Sequence, residues 1–168
     1  MADWVIEPLT AAHERSSFTC GNSHLDTFLR TLVGQYEKRR LGRTFVATQA
    51  GQRRVAGFYT LAAGSFDISS LPASERKKFP KHALPTVHLG RLAVDVAYRG
   101  QRLGETLLMH ALRASVEISK SLGAFAVDVS AKDDGAREFY ARYGFLTLAD
   151  NPLRLYLPMK TIAAMFGK

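Results

Sequence analysis

The sequence predicts an α/β fold in which a mixed sheet carries helices on its faces. Three patterns predict it. Two β-rich runs flank a short polar turn early in the chain and read as an antiparallel hairpin. The second half alternates strand, helix and strand. A long apolar stripe at helical spacing occupies residues 101–121. At 168 residues the chain has the size of a single domain, 1–168, able to bury one two-layer core.

The opening MADWVIEPLT places Asp3 and Glu7 where a secretion signal would be basic and then apolar, so no signal is expected. A helix is predicted over about residues 23–40, because Leu25, Phe28, Leu29, Leu32, Val33 and Tyr36 form one i, i+3, i+4, i+7 stripe. Asn22 or Ser23 caps it, Asp26 suits its positive end, Lys38, Arg39 and Arg40 suit its negative end, and Gly42 stops it. The hairpin pairs Thr44–Thr48 with Val55–Leu61. Residues 64–85, with Pro72, Pro80 and Pro85, read mostly as connection. A buried strand is predicted over Val87–Val94. Then comes the helix over 101–121, facing inward with Leu103, Leu107, Leu108, Ala111, Leu112 and Ser115. A strand over Phe125–Val129, a short helix over Asp134–Tyr143 ended by Gly144, and a strand over Leu153–Leu157 complete the chain.

Composition narrows the function. With 46% hydrophobic and 23% charged residues, disorder is excluded, and no apolar run approaches the roughly 18 residues of a membrane span. The lone Cys20 allows neither an internal disulfide nor a cysteine-based zinc centre. His13, His24, His82, His88 and His110 have no metal-ligand spacing, and His88 and His110 read as structural. A cytoplasmic protein without metal is therefore expected. The net charge of +8 favours an anionic partner such as nucleic acid, phosphate or cofactor.

The chemistry concentrates in Leu89–Leu108, where a strand passes through a polar, Gly-containing turn into an amphipathic helix. The first N–H groups of such a helix have no intrahelical acceptor, and with the turn amides they form a seat for a phosphate or pyrophosphate. The stretch is neither a Walker loop nor the three-glycine dinucleotide fingerprint. It resembles the acyl-CoA loop of the GNAT N-acetyltransferases, Arg/Gln-x-x-Gly-x-Gly/Ala, entered at Arg99 and closed by Gly104; a register from Gln101 keeps a glycine at the fourth position but ends in Thr106. In the Arg99 register Arg102 stands where the family usually has glycine. A second stretch, Phe139-Tyr140-Ala141-Arg142-Tyr143-Gly144-Phe145, resembles the family's Phe-Tyr-x-x-x-Gly-Phe signature.

The resemblance implies a GNAT fold, a mixed and mostly antiparallel sheet with helices on both faces, and acetyl-CoA as acetyl donor. It implies that Leu92, Ala93 and Val94 flank the pantetheine. The pyrophosphate would be held by Arg99, Gly100, Gln101, Arg102, Leu103, Gly104 and Glu105. Tyr140 would be the general acid for the departing sulfur, its phenol being protonated at neutral pH. Direct attack of the amine would form an oxyanion facing a backbone N–H near Val94.

Thr19-Cys20-Gly21, Leu25–Leu29, Val55–Leu61, Gly90–Asp95 and Leu155–Met159 together are similar to the GNAT toxins of type II toxin–antitoxin systems. That resemblance implies acetylation of the α-amino group of an aminoacyl-tRNA, a block of translation, a ribbon-helix-helix antitoxin and a homodimer. Acetylation of a small amine or a protein N-terminus, or a non-catalytic CoA-binding module, stand as alternatives. Candidate RNA contacts are Lys38, Arg39, Arg40 and Arg43, and Arg76, Lys77 and Lys78; any one cluster reads rather as a solvated surface, while the charge of +8 favours at least one of them meeting a phosphate backbone. Asp95 reads as either a base or a strand terminator.

Overall fold

This computed structural model describes residues 3–167. Its strands are β1 (Trp4–Pro8), β2 (Arg43–Gln49), β3 (Gly57–Phe66), β4 (Leu84–Val94), β5 (Ala126–Ser130), β6 (Leu146–Leu148) and β7 (Asn151–Pro158). They form one sheet in the order β1-β2-β3-β4-β5-β7-β6. The β1–β2, β2–β3, β5–β7 and β6–β7 pairings are antiparallel, and β4–β5 is parallel. The helices are α1 (Ser23–Thr27), α2 (Val33–Lys38), α3 (Ala73–Arg76), α4 (Leu103–Ser119), α5 (Asp134–Arg142) and α6 (Met159–Met165). The chain divides into two compact units, Met1–Ala62 with Gly90–Ala111, and Ala63–Leu89 with Leu112–Lys168.

In the first unit, the expected single helix over 23–40 is two helices joined by a π-helical turn, Phe28–Leu32. Asn22 caps α1 by accepting from the Leu25 N–H at 3.1 Å. At the join the Val33 N–H reaches back five residues to the Phe28 carbonyl, which widens the turn and shifts the facing of α2 relative to α1. Phe28, Leu29 and Val33 enter the core with Phe18, Val46, Val55 and Phe58, whereas Leu32 swings out to 39% exposure. The regular stripe therefore misassigns Leu32.

The end of α2 also differs from expectation. Arg40, at φ +58°, occupies the left-handed position that Gly42 was expected to supply nearby. The Leu41 N–H bonds the Tyr36 carbonyl and the Arg40 N–H bonds the Glu37 carbonyl, which is a Schellman ending built on an arginine.

Gly57 opens β3 where α4 packs closest. A Cβ there would lie 2.9 Å from Leu107 Cδ1 and 3.0 Å from the Ala93 carbonyl oxygen, so only glycine fits without displacement. The predicted inner face of α4 is correct: Leu103, Leu107, Leu108, Ala111, Leu112 and Ser115 are all buried.

In the second unit, Phe66, Leu71, Leu84, Ala126, Leu148 and Tyr156 form the core cluster. The predicted connection over 64–85 holds more structure than expected, because β3 runs on to Phe66 and α3 lies within it. The register of β4 on β5 runs from Thr86↔Ala126 to Leu89↔Val129, although β4 continues to Val94. The Asp133 carboxylate caps α5 by accepting from the Ala136 N–H at 2.8 Å, as its sequence implied. β1, β6 and α6 were not anticipated.

Candidate active site

The end of β4 is fixed by Asp95, which is fully buried. Its carboxylate accepts from the Ala97 N–H at 2.9 Å, capping a 3-10 turn over Val96–Tyr98, and from the Thr19 N–H at 3.1 Å. It also pairs with the Arg54 guanidinium at 3.4 Å. With its lone pairs so engaged, Asp95 is a positioning residue, which decides between the two roles its sequence left open. The Val96 N–H bonds the Thr19 carbonyl at 2.9 Å. Asp26, itself buried, accepts from the Cys20 N–H at 2.8 Å. The Thr19-Cys20-Gly21 turn is therefore clamped from both sides and in turn braces the loop.

Beyond the 3-10 turn the backbone takes positive φ at Gly100 (+80°) and again at Arg102 (+59°), immediately before α4. Alternating left-handed residues turn successive amides to one side and form an anion-binding nest. The Thr106 N–H makes the first helical bond, to the Arg102 carbonyl, so the N–H groups of Leu103, Gly104 and Glu105 precede the helical ladder. Nest and helix start act together, and the helix dipole adds to them. A cleft of about 780 Å³ opens on this loop, lined by Asp3, Trp4, Gly100, Gln101, Arg102, Glu105 and Thr106. Two of these, Asp3 and Glu105, are acidic, which confines an anion to the amide edge and Arg102. Trp4, held edge-on against Tyr98, was not anticipated; a lone tryptophan on a short edge strand carries no motif.

Arg102 is exposed at the mouth of the nest. Arg99 behaves differently: its guanidinium donates to the Cys20 carbonyl at 2.8 Å and closes over Gly21, where a Cβ would sit 3.0 Å from its Nη2. Its side chain braces the loop, and its backbone remains part of it. Leu92 and Val94 are half-buried and Ala93 is buried.

Tyr140 belongs to the second unit and is described there. It is 7% exposed on α5, with its ring between Phe139 and Phe145 at 5.3 and 5.4 Å. Burial pushes its phenol above the usual tyrosine range, so it stays protonated at every physiological pH.

The basic clusters are exposed. Lys38, Arg39 and Arg40 extend from the end of α2, whereas Arg43 pairs with Glu37 at 3.1 Å. In the other unit Arg76 donates to the Leu71 carbonyl and Lys78 pairs with Glu75, while Lys77 projects outward.

A strand, a nest and a helix start of this form suit an acyl-CoA enzyme, and the acetyltransferase (GNAT) family model matches residues 9–145. The chain belongs to the GNAT acetyltransferase family, whose acyl donor is acetyl-CoA; the nest and its cleft fit that donor's pyrophosphate. More particularly, the chain is 36% identical over 159 residues to the tRNA-acetylating toxin of Mycobacterium tuberculosis (strain ATCC 25618 / H37Rv), covering 95% of this chain and 94% of the relative.

Solved structures agree. A tyrosine-to-phenylalanine variant of KacT superposes with a TM-score of 0.92 at 32% identity, covering 97% of this chain and 99% of that one. AtaT complexed with acetyl-methionyl-tRNAfMet gives 0.89 at 33% identity, covering 98% and 99%. A tyrosine-to-phenylalanine variant of AtaT bound to acetyl-CoA and the C-terminus of the antitoxin AtaR gives 0.84 at 30% identity, covering 99% of each chain. Among the described residues no cluster of three or more metal-binding side chains occurs, and no helix is long and apolar enough to cross a membrane.

Proposed function

We propose that this chain is a toxin acting as one catalytic domain, 1–168, that transfers the acetyl group of acetyl-CoA to the α-amino group of an aminoacyl-tRNA. The observation that carries the reading is the likeness along nearly the whole chain to AtaT caught with an acetylated aminoacyl-tRNA. An acetylated α-amine cannot attack a peptidyl ester, so the product blocks translation.

The amides from Arg99 to Glu105 hold the pyrophosphate, with Arg102 adding charge. The pantetheine runs beside the β4 backbone at Leu92–Val94, where pairing to β5 has already ended. The amine attacks the thioester carbonyl directly. A backbone N–H near Val94 faces the oxyanion, and Tyr140 gives its proton to the sulfur as the C–S bond breaks. A phenol raised by burial is a weak acid, so transfer is favourable only while sulfur gains basicity during cleavage. Lys38, Arg39, Arg40 and Arg43, with Arg76, Lys77 and Lys78, receive the RNA backbone; of these Arg43, Arg76 and Lys78 are also engaged by Glu37, the Leu71 carbonyl and Glu75.

The same reading makes the working form a cytoplasmic homodimer restrained by a ribbon-helix-helix antitoxin; the AtaT relative bound to its antitoxin supports the antitoxin. The test is radiolabelled acetyl transfer to total charged tRNA beside the same tRNA deacylated. Label confined to the charged pool is expected. Label on free amines or peptides alone would make this a small-amine or N-terminal acetyltransferase, and no turnover with any amine would leave a CoA-binding module.

A further inference from the structure

Five arginines among the described residues are half-buried: Arg15, Arg54, Arg91, Arg137 and Arg154. Four of them meet an oxygen. Arg15 donates to the Leu29 carbonyl at 2.9 Å, and Arg54, Arg137 and Arg154 pair with Asp95, Asp134 and Asp128. Among the described residues the Arg91 guanidinium has neither a hydrogen-bond acceptor nor a carboxylate partner. Its five N–H donors are left for an acceptor from outside the chain.

The place Arg91 occupies is built by the first unit alone. Its Cζ lies 3.7 Å from the centre of the Phe28 ring and 5.1 Å from that of Tyr36. The two rings stand 5.0 Å apart at 81°, forming the floor and wall of a corner. Phe28 is 3% exposed and is itself stacked on Phe58 at 6.1 Å and 20°. The π turn makes this corner. Phe28 and Tyr36 are eight positions apart, which in a continuous α-helix would turn them about 80° from each other. The extra residue of the Phe28–Leu32 turn brings the two rings nearly into line.

A guanidinium laid on a ring keeps its N–H edge free, and that edge matches two oxygens of one phosphate. The aromatic corner also fixes the side chain beforehand, so little ordering remains when an anion binds. The acids of α1 and α2 do not compete for it. Asp26 accepts from the Cys20 N–H at 2.8 Å, and Glu37 holds Arg43 and the Thr44 N–H. Tyr36 leads directly into the basic end of α2: the Leu41 N–H bonds its carbonyl, and Lys38, Arg39 and Arg40 are exposed between them. Arg91 and these three cations therefore lie along one helix, which suits a polyanion better than a single carboxylate.

We propose that Arg91, laid on Phe28 and Tyr36, binds a backbone phosphate of the acceptor RNA. The proposal rests on the aminoacyl-tRNA reading above, in which the phosphates of acetyl-CoA already have the amides of Arg99–Glu105. Unlike Arg39 and Arg40, Arg91 needs no rotamer frozen to make its contact.

The test is KM for charged tRNA across a salt series in wild type, Arg91→Gln, Arg91→Met and Arg91→Lys. Acetyl-CoA affinity and thermal melting are measured on each. Gln and Met both remove the charge, and Met keeps an apolar contact on Phe28 should Gln unsettle the fold. Each should raise KM about 10- to 150-fold at low salt. Each should also flatten the log–log salt slope by roughly one unit, with acetyl-CoA affinity unchanged. Arg91→Lys keeps the charge but not the two-oxygen grip, so the slope should persist with KM within about tenfold of wild type. An unaltered slope in both neutral variants overturns the proposal, even where melting falls, and leaves Arg91 a clamp between helix and sheet. Weakened acetyl-CoA binding with an unaltered tRNA slope overturns it too, and gives the phosphate to the donor. A wild type that acetylates no charged tRNA overturns the underlying reading instead, and this proposal with it.

Discussion

Replacing Arg102 with glycine should raise the stability of the free protein and lower its affinity for acetyl-CoA, two opposite effects from one side chain. Arg102 holds φ +59°, where an L-residue costs about 1–2 kcal/mol. Glycine removes that cost and adds about 0.5–1 kcal/mol of chain entropy to the unfolded state, for a net gain of about 0.5–1 kcal/mol. At about 2–4 °C per kcal/mol for a chain of this length, the free protein should melt about 1–4 °C higher. The guanidinium at the mouth of the nest is worth about 1–3 kcal/mol toward pyrophosphate, so affinity should fall about 5- to 150-fold. Scanning calorimetry reads both effects. At acetyl-CoA one hundred times the wild-type Kd, the ligand adds about 2.7 kcal/mol to wild type and, for a tenfold loss, about 1.4 kcal/mol to the variant. Isothermal titration calorimetry gives the affinity directly. Unchanged or tighter binding would refute the phosphate role, and an unchanged free melting point would refute the strain.

Tyr140→Phe should lower kcat by about 10² to 10⁴ while acetyl-CoA binds as before; activity within a few-fold of wild type removes the phenol from the mechanism. Because burial raises Tyr140, its acid form persists as pH rises, and wild-type turnover should show no alkaline loss from this group below the ordinary phenol value of about 10. Gly57→Ala should cost about 1–3 kcal/mol in urea unfolding, since the new methyl meets the Ala93 carbonyl and Leu107. Reversing Arg39 and Arg40 together, or Lys77 alone, should raise KM for charged tRNA and flatten its salt dependence, with acetyl-CoA affinity unchanged. The log–log slope should shrink by roughly one unit for each phosphate the variant no longer neutralises. An unaltered salt slope would remove those residues from the RNA surface.

The long helix, the hairpin and the nest were legible because each rests on local periodicity or turn chemistry. Leu103 to Ser115 keep a 3.6-residue stripe, and Gly100 and Gly104 mark a loop entering a helix. What escaped depends on partners distant in sequence. β1 has no clean alternation and becomes a strand only by pairing Trp4–Pro8 with β2. β6 is three residues long with a register shift. The π turn at Phe28–Leu32 breaks a stripe that looks regular in the sequence, and Arg40 takes a conformation for which glycine is the usual signal. Asp95 was ambiguous because two of its three hydrogen-bond donors, Thr19 and Arg54, lie far away along the chain. The pairing of His88 was invisible for the same reason, since Asp128 is forty residues distant.

The brace under the cofactor loop also sets a timetable for synthesis. Thr19 waits for Asp95, 76 residues later, and Cys20 for Arg99, 79 residues later. At roughly 5–20 residues per second, a ribosome needs roughly 4–15 s between making the first half of each pair and the second. Tyr140 is translated later still. On the proposed mechanism, a chain interrupted before residue 95 therefore holds neither a braced loop nor its acid, and a nascent copy stays inert toward the machine producing it until most of its length has been made.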